Sequence, residues 1–253
     1  MIKSYDKLVK ILDYVKQNPN VKLQDIADGL DMSKSTLHRI VMELVDYTFL
    51  SRDEERLTYK LGSKFLEYIS TVIDNLDIRS ESSDIISQLN QSTMETIHLA
   101  IMVDNRIIYV DKRESLHSIR LYSVVGKEAP FYCTGVGKAI VAFQKPEIIE
   151  LFKSKYACKN YTENTITDYK ELDKEFLRIR SEGVAYDLEE HENGVICIAA
   201  PILNHNKQVI ASISITTIKQ RFSVDQLKGL KNDLIAGADT VSMRLGYRKE
   251  NKK

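Results

Sequence analysis

Cysteine is scarce in this 253-residue chain, and an excess of either charge is absent. Cys133, Cys158 and Cys197 are odd in number, widely spaced and form no CxxC pair. That pattern excludes a disulfide framework and a zinc ribbon. No apolar run approaches the ~18 residues needed to cross a bilayer, so no membrane partner is expected. The opening MIKSYDKLVK lacks the apolar stretch of a signal peptide, which makes the cytoplasm the expected location. Lys+Arg and Asp+Glu each number 36, and the first 62 residues hold 10 basic and 10 acidic side chains. Such a balance excludes a histone-like packaging role, because phosphate neutralisation by surplus Lys and Arg supplies that kind of binding. Internal repeats are missing, as are low-complexity segments beyond a Lys-rich tail. What remains is ordinary globular composition, 43% hydrophobic and 28% charged, in a length that suits one large domain or two small ones.

The informative stretch is Val21 to Val45. Leu23, Ile26, Ala27 and Leu30 recur at i, i+3, i+4 and i+7, one apolar face of a helix. Gly29 to Met32 breaks the pattern, and Ser33 is placed to cap a second helix by accepting from its free N–H groups. There Leu37, Ile40, Val41, Leu44 and Val45 form a new apolar stripe. Lys34, Ser35, Thr36, His38 and Arg39 fall outside it. Two helices joined by a short turn, the second with a basic polar outer face, are how a recognition helix enters the DNA major groove. An ordinary αα-hairpin with a solvated face is the competing reading.

The flanks favour the first reading. Ser4 is expected to cap an earlier helix whose buried face is Tyr5, Leu8, Val9, Leu12 and Val15, ended by Asn18-Pro19-Asn20. After the helix pair, Phe49–Arg52, an acidic turn at Asp53–Glu55 and Arg56–Leu61 read as a hairpin. In its second strand Leu57, Tyr59 and Leu61 should face inward and Arg56, Thr58 and Lys60 outward. Three helices and a hairpin make a winged helix-turn-helix over residues 1–62, with Arg52 and Arg56 available to the phosphate backbone. Phe65, Ile69, Val72, Ile73 and Leu76 then define an amphipathic linker helix over 63–78.

Residues 79–253 read as an α+β domain with a mostly antiparallel sheet. A helix from Arg79 to Ser92 carries Ile85, Ile86 and Leu89. Strands are expected at Thr96–Val103, Ile107–Lys112, Ile119–Ser123, Val184–Leu188, Val195–Leu203 and Val209–Ile218. Helices are expected from Gly135 to Phe143, from Pro146, from Asp168 to Ser181, and from a Ser223 cap to about Tyr247. Two segments stand out. Phe131-Tyr132-Cys133-Thr134-Gly135-Val136-Gly137-Lys138-Ala139 puts two glycines at a helix start, where a ligand can approach backbone amides. It is not a P-loop, since Tyr132 and Ala139 occupy the places of the required Gly and hydroxyl residue. Close helix–sheet packing at the glycines is the plainer alternative. In the second segment an acidic loop, Glu189-Glu190-His191-Glu192, feeds a strand of small residues around Cys197. Here a solvated loop before a core strand is the plainer reading.

Three features together resemble the IclR family of bacterial transcription regulators. They are the N-terminal winged helix, the T-G-V-G-K-A segment at Thr134–Ala139, and the run from Glu189 to Pro201, E-E-x-x-x-G-V-x-C-I-A-A-P. The wording FYCTGVGKA and EEHENGV looks most like regulators of sugar-acid catabolism, such as those answering to 2-keto-3-deoxygluconate. The resemblance implies a GAF-like effector domain, a homodimer or tetramer, a double-stranded operator, and a small carboxylate that tunes operator binding. It implies a repressor, with an activator of the same fold as the alternative. Carried over position by position, the effector pocket consists of Gly135, Val136, Asp187, Cys197, Ser214 and Thr216. Ser214 and Thr216 are two apart and so share one side of their strand. Amides and hydroxyls suit a carboxylate, whereas Asp187 suits a ligand hydroxyl. No catalytic residue, metal or cofactor is expected. An enzyme using Cys197 or Cys133 with His191 or His98 lacks any fixed geometry. A metal held by His191, Glu190 and a Cys lacks ligand spacing.

Overall fold

In the computed structural model, residues 4–68, 77–118, 121 and 123–248 are described. The Ser4 cap, the linker helix beyond Tyr68 and the strand expected at Ile119–Ser123 fall wholly or partly outside them. The chain divides into two compact units, Met1–Leu76 and Asp77–Lys253.

The first unit holds α1 (Ser4–Gln17), β1 (Val21–Lys22), α2 (Leu23–Gly29), α3 (Lys34–Asp46), β2 (Leu50–Asp53) and β3 (Thr58–Leu61). Its antiparallel sheet runs β1-β3-β2, with Val21 opposite Tyr59 and Leu50 opposite Leu61. Ile26, Ala27, Leu37, Ile40, Val41 and Leu44 are buried as their spacing requires. Three expectations need correction. The core covers only the second half of α1, through Ile11 and Val15, and leaves Tyr5, Leu8 and Val9 exposed. Ser33 occupies the N-cap of α3 but makes no cap bond, and its hydroxyl donates to Thr36 Oγ1 at 2.9 Å. In the wing, Leu57 takes a left-handed backbone (φ 53°) and stays in the turn, outside the strand. Strand β3 does not alternate: Thr58 and Tyr59 are buried, while Lys60 and Leu61 are exposed, as is Leu57. The turn itself is fastened by the Asp53 carboxylate, which accepts from the backbone N–H groups of Glu55 and Arg56, each at 3.0 Å.

The second unit begins with α4 (Asp77–Thr93), β4 (Thr96–Val103) and β5 (Arg106–Arg113). The β4–β5 turn places Asp104 and Asn105 at φ 49° and 55°, the paired left-handed residues of a tight hairpin. There follow α5 (Gly135–Val141), α6 (Pro146–Lys155), α7 (Tyr169–Glu182), β6 (Ala185–Leu188), β7 (Val195–Leu203) and β8 (Val209–Ile218). The single C-terminal helix that was expected is two: α8 (Val224–Gly229) and α9 (Lys231–Arg244), broken at Leu230. Ser223 caps α8 in a full capping box with Gln226. Asp168 caps α7, and Gly183 ends it in a left-handed conformation at φ 75°.

All pairs in the five-stranded sheet are antiparallel, in the order β5-β4-β8-β7-β6. Period-2 alternation sorts its residues into two unlike faces. Ile97, Leu99, Ile198, Ile213 and Ile215 point one way, all buried, where α4 and α9 pack. His98, Ala100, Cys197, Ala199, Ser212, Ser214 and Thr216 point the other way, under α5. This second face is small and polar. It lets α5 approach closely at its glycine end and leaves space beside it.

Candidate functional site

Gly135 and Gly137 explain how α5 reaches the sheet. A Cβ on Gly135 would stand 2.7 Å from Cys197 Sγ, and one on Gly137 would stand 2.6 Å from the Pro130 carbonyl oxygen. No larger residue fits without displacement. The Thr134 hydroxyl caps the helix, accepting from the Gly137 amide at 3.1 Å and donating to the Pro130 carbonyl at 2.7 Å. The amides of Gly135 and Val136, in the first turn, have no intrahelical acceptor.

These amides border a cavity of about 320 Å³ that all six sequence-derived pocket residues line: Gly135, Val136, Asp187, Cys197, Ser214 and Thr216. The structure adds His98, Tyr109, Ser123, Tyr161 and His191 to its walls. Of these, sequence reasoning weighed His98 only as a hypothetical base and His191 as a hypothetical base or metal ligand, and gave neither a place in the pocket. The remaining signal was register: His98 lies directly opposite Ser214 in the β4–β8 ladder and must share its face.

Burial sets the electrostatics. Asp187 is buried, and its Oδ1 accepts from the Glu190 amide at 2.8 Å and the His191 amide at 3.4 Å. Desolvation, aided by neighbouring Glu190, pushes its carboxyl up to about 7. His98 is driven down to about 3 by burial and by nearby Lys112, so it stands neutral at physiological pH. Burial pushes the Cys197 thiol up to about 12, and Cys133 likewise upward, so neither is a thiolate nucleophile. Among the described residues no group of three or more His, Cys, Asp or Glu side chains is arranged to hold a metal ion.

Beneath the cavity lies Lys138, fully buried on α5. Its ammonium meets Glu190 at 2.5 Å and Glu175 at 3.2 Å. Glu175 also takes a two-pronged contact from Arg178, both bonds at 2.8 Å. Lys138 thus ties the helix of the amides to the acidic loop and to α7. Its role went unread in the sequence, where it served only to test for a P-loop.

In the other unit, Lys34, Ser35, His38 and Arg39 are exposed together on α3, and Thr36 is half-buried at its start. Arg39 pairs with Glu43 one turn on, at 3.1 Å. Arg52 is half-buried on β2 with Glu54 at 3.6 Å, and Arg56 is exposed in the wing turn. Among the described residues no helix is long and apolar enough to cross a membrane.

Comparison with known proteins matches both parts of the chain. The bacterial transcriptional regulator IclR C-terminal family model covers residues 70–243, and the IclR helix-turn-helix domain covers residues 4–54. The HTH-type transcriptional regulator KipR of Bacillus subtilis is 32% identical over 97% of this chain and 98% of its own. The DNA-binding transcriptional repressor YiaJ of Escherichia coli is 29% identical over 95% of this chain and 86% of its own. The crystal structure of the Thermotoga maritima IclR superposes with a TM-score of 0.77 at 31% identity, covering 96% of this chain and 99% of that one. With its winged helix-turn-helix and its α+β effector domain, this chain belongs to the IclR family of bacterial transcriptional regulators, a family of DNA-binding proteins and not of enzymes.

Proposed function

We propose that this regulator is a repressor whose hold on operator DNA is controlled by a small hydroxylated carboxylate, a sugar acid or keto acid. The observation that carries the ligand class is the meeting of unlike groups in one 320 Å³ cavity. First-turn amides at Gly135 and Val136 and the hydroxyls of Ser214 and Thr216 complement a carboxylate. Asp187, whose Oδ1 is already engaged by two amides, is left to accept from a ligand hydroxyl. Repression is supported by the likeness to YiaJ, which is named a repressor. On the DNA side, Lys34, Ser35, Thr36, His38 and Arg39 form the base-reading face of α3, and Arg52 and Arg56 serve the backbone. The protein works as a homodimer or tetramer, because a unit with balanced charge gains too little from phosphate contacts alone.

The test joins both ends. A thermal-shift panel of 2-keto-3-deoxygluconate, D-gluconate and pyruvate is run on the full chain, followed by operator binding with and without the acid that stabilises most. Lys34→Ala and Arg39→Ala are expected to weaken specific operator binding by about 1–3 kcal/mol each with the fold intact. Unchanged affinity in both variants would remove α3 from the operator. A panel with no stabilising acid would remove the carboxylate.

A further inference from the structure

The mouth of the cavity is bordered by a strap, residues 123–129, laid along the edge strand β5. Gly126 donates its amide to the Tyr109 carbonyl at 2.7 Å, Tyr109 returns one to Lys127 at 3.1 Å, and Ala129 donates to Ile107 at 2.8 Å. Two side chains from neighbouring strands grip the strap at one residue. Lys112, opposite His98 in the β4–β5 register, donates to the Ser123 carbonyl at 2.8 Å and to the Leu121 carbonyl at 2.9 Å. His98 Nε2 meets the Ser123 hydroxyl at 2.6 Å. The other ring nitrogen, Nδ1, lies 3.2 Å from Thr216 Oγ1 and 3.4 Å from Ser214 Oγ. Tyr109 packs against the ring at a tilt of 45°, with centroids 5.0 Å apart.

We propose that His98 is a specificity-determining residue of this cavity, and that the Ser123 hydroxyl holds the hydrogen-bonding position on Nε2 that a ligand oxygen takes over. The inference rests on the reading of the cavity as the effector site. Three features carry it. His98 is 3% exposed and lines the cavity, so whatever bonds Nε2 must come from the strap or from a ligand. The Ser123 hydroxyl is one of several attachments of the strap, since Lys112 and three backbone bonds hold it as well. The hydroxyl can therefore rotate away and loosen the strap without releasing it. Lastly, the hydroxyls on the Nδ1 side can each donate or accept. They let the neutral ring present Nε2 as a donor to a carboxylate or keto oxygen, or as an acceptor to a ligand hydroxyl, without leaving a buried nitrogen unpaired. A ligand with carbon at that position would displace Ser123 and give nothing back, which is how a buried polar group rejects an apolar analogue.

The experiment has two arms on the full chain. Without ligand, amide exchange at Gly126 and Ala129 is compared in wild type, Ser123→Ala and His98→Leu. Loss of the latch should speed both amides by about threefold to tenfold with the exchange of α5 unchanged. Unaltered exchange overturns the latch. With ligand, calorimetric affinity for 2-keto-3-deoxygluconate is measured at one pH. His98→Leu should bind about tenfold or more weakly, and His98→Gln, which keeps a neutral donor and acceptor, should recover to within about threefold of wild type. Ser123→Ala should bind about threefold more tightly, because the competing hydroxyl is gone. Ser123→Ala binding as weakly as His98→Leu would show that the strap holds the ligand rather than yielding to it, and the proposal fails. If wild type binds none of the acids while the exchange arm behaves as expected, the carboxylate reading of the cavity fails and the latch stands.

Discussion

Asp187 shows how one side chain can make a binding site sensitive to proton concentration. Its carboxyl is buried beside Glu190, with only Lys138 and two backbone amides to favour the charged form. The folded-state value lies near 7 against an ordinary 3.8, so folding favours the protonated acid. Stability from this group is complete below the unfolded value and is lost as pH rises through 7. Between pH 5 and pH 8 the wild type should therefore lose about 1–3 kcal/mol more than Asp187→Asn, as read from denaturant melts at each pH. Asn keeps an acceptor for the two amides, so the comparison isolates the ionisation. Equal pH dependence in the two proteins would show that Asp187 is ionised throughout. Residues of this kind differ in how far the sequence betrays them. Ser214 and Thr216 came from the family resemblance, and their two-residue spacing on a strand added only that they share a face. His98 was not legible, because a lone histidine in an apolar strand looks the same whether it packs in a core or lines a void. Only pairing between distant strands tells the two apart.

At the scale of elements, α5 is the piece on which the cavity depends. It is short and begins with the two amides. It is seated by glycines that admit Cys197 and the Pro130 carbonyl, and it is anchored by a single buried ammonium. Removing that ammonium leaves Glu190 without a cation and facing Glu175, which alone keeps Arg178, and Glu190 already has one buried oxygen with no partner. Lys138→Met is expected to cost about 3–5 kcal/mol of stability, and Lys138→Met with Glu190→Gln to recover much of it, since the second change removes the orphaned charge. Chemical denaturation of the three proteins measures the coupling, and strictly additive losses would show that the pair is not energetically linked. Elements were read from sequence with uneven success for a related reason. Strands β7 and β8 matched because their apolar runs are long and bounded by turn residues. The first helix matched in extent but not in its buried face, because it carries apolar residues on more than one side. Periodicity alone does not say that the core takes Ile11 and Val15 and leaves Tyr5 and Val9 in solvent. The wing hairpin is present but its alternation is not: Leu57 is left-handed in the turn, and β3 buries Thr58 beside Tyr59 and exposes Leu61.

For the whole molecule, the constraint is that 36 positive and 36 negative side chains leave no general attraction for DNA. In the proposed homodimer or tetramer, affinity comes from a few placed contacts repeated by symmetry. An operator with two half-sites should therefore bind far more tightly than either half alone, since the second contact is made at high effective concentration. Under the proposed effector control, the same economy makes switching easy, because a ligand need only change the relation of two modest contacts rather than defeat a strong field. Thermodynamics then binds the two ends together. If the effector weakens operator binding by some factor, the operator must weaken effector binding by the same factor. Calorimetric titration of the effector into the protein alone, into its complex with the full operator, and into its complex with a single half-site tests this directly. Affinity is expected to fall about 5- to 150-fold on the full operator and to change little on the half-site, where the spacing of two winged helices is not fixed. Equal effector affinity in all three titrations would mean that ligand and DNA do not share a switch, and a full effect on the half-site would place that switch within one protomer.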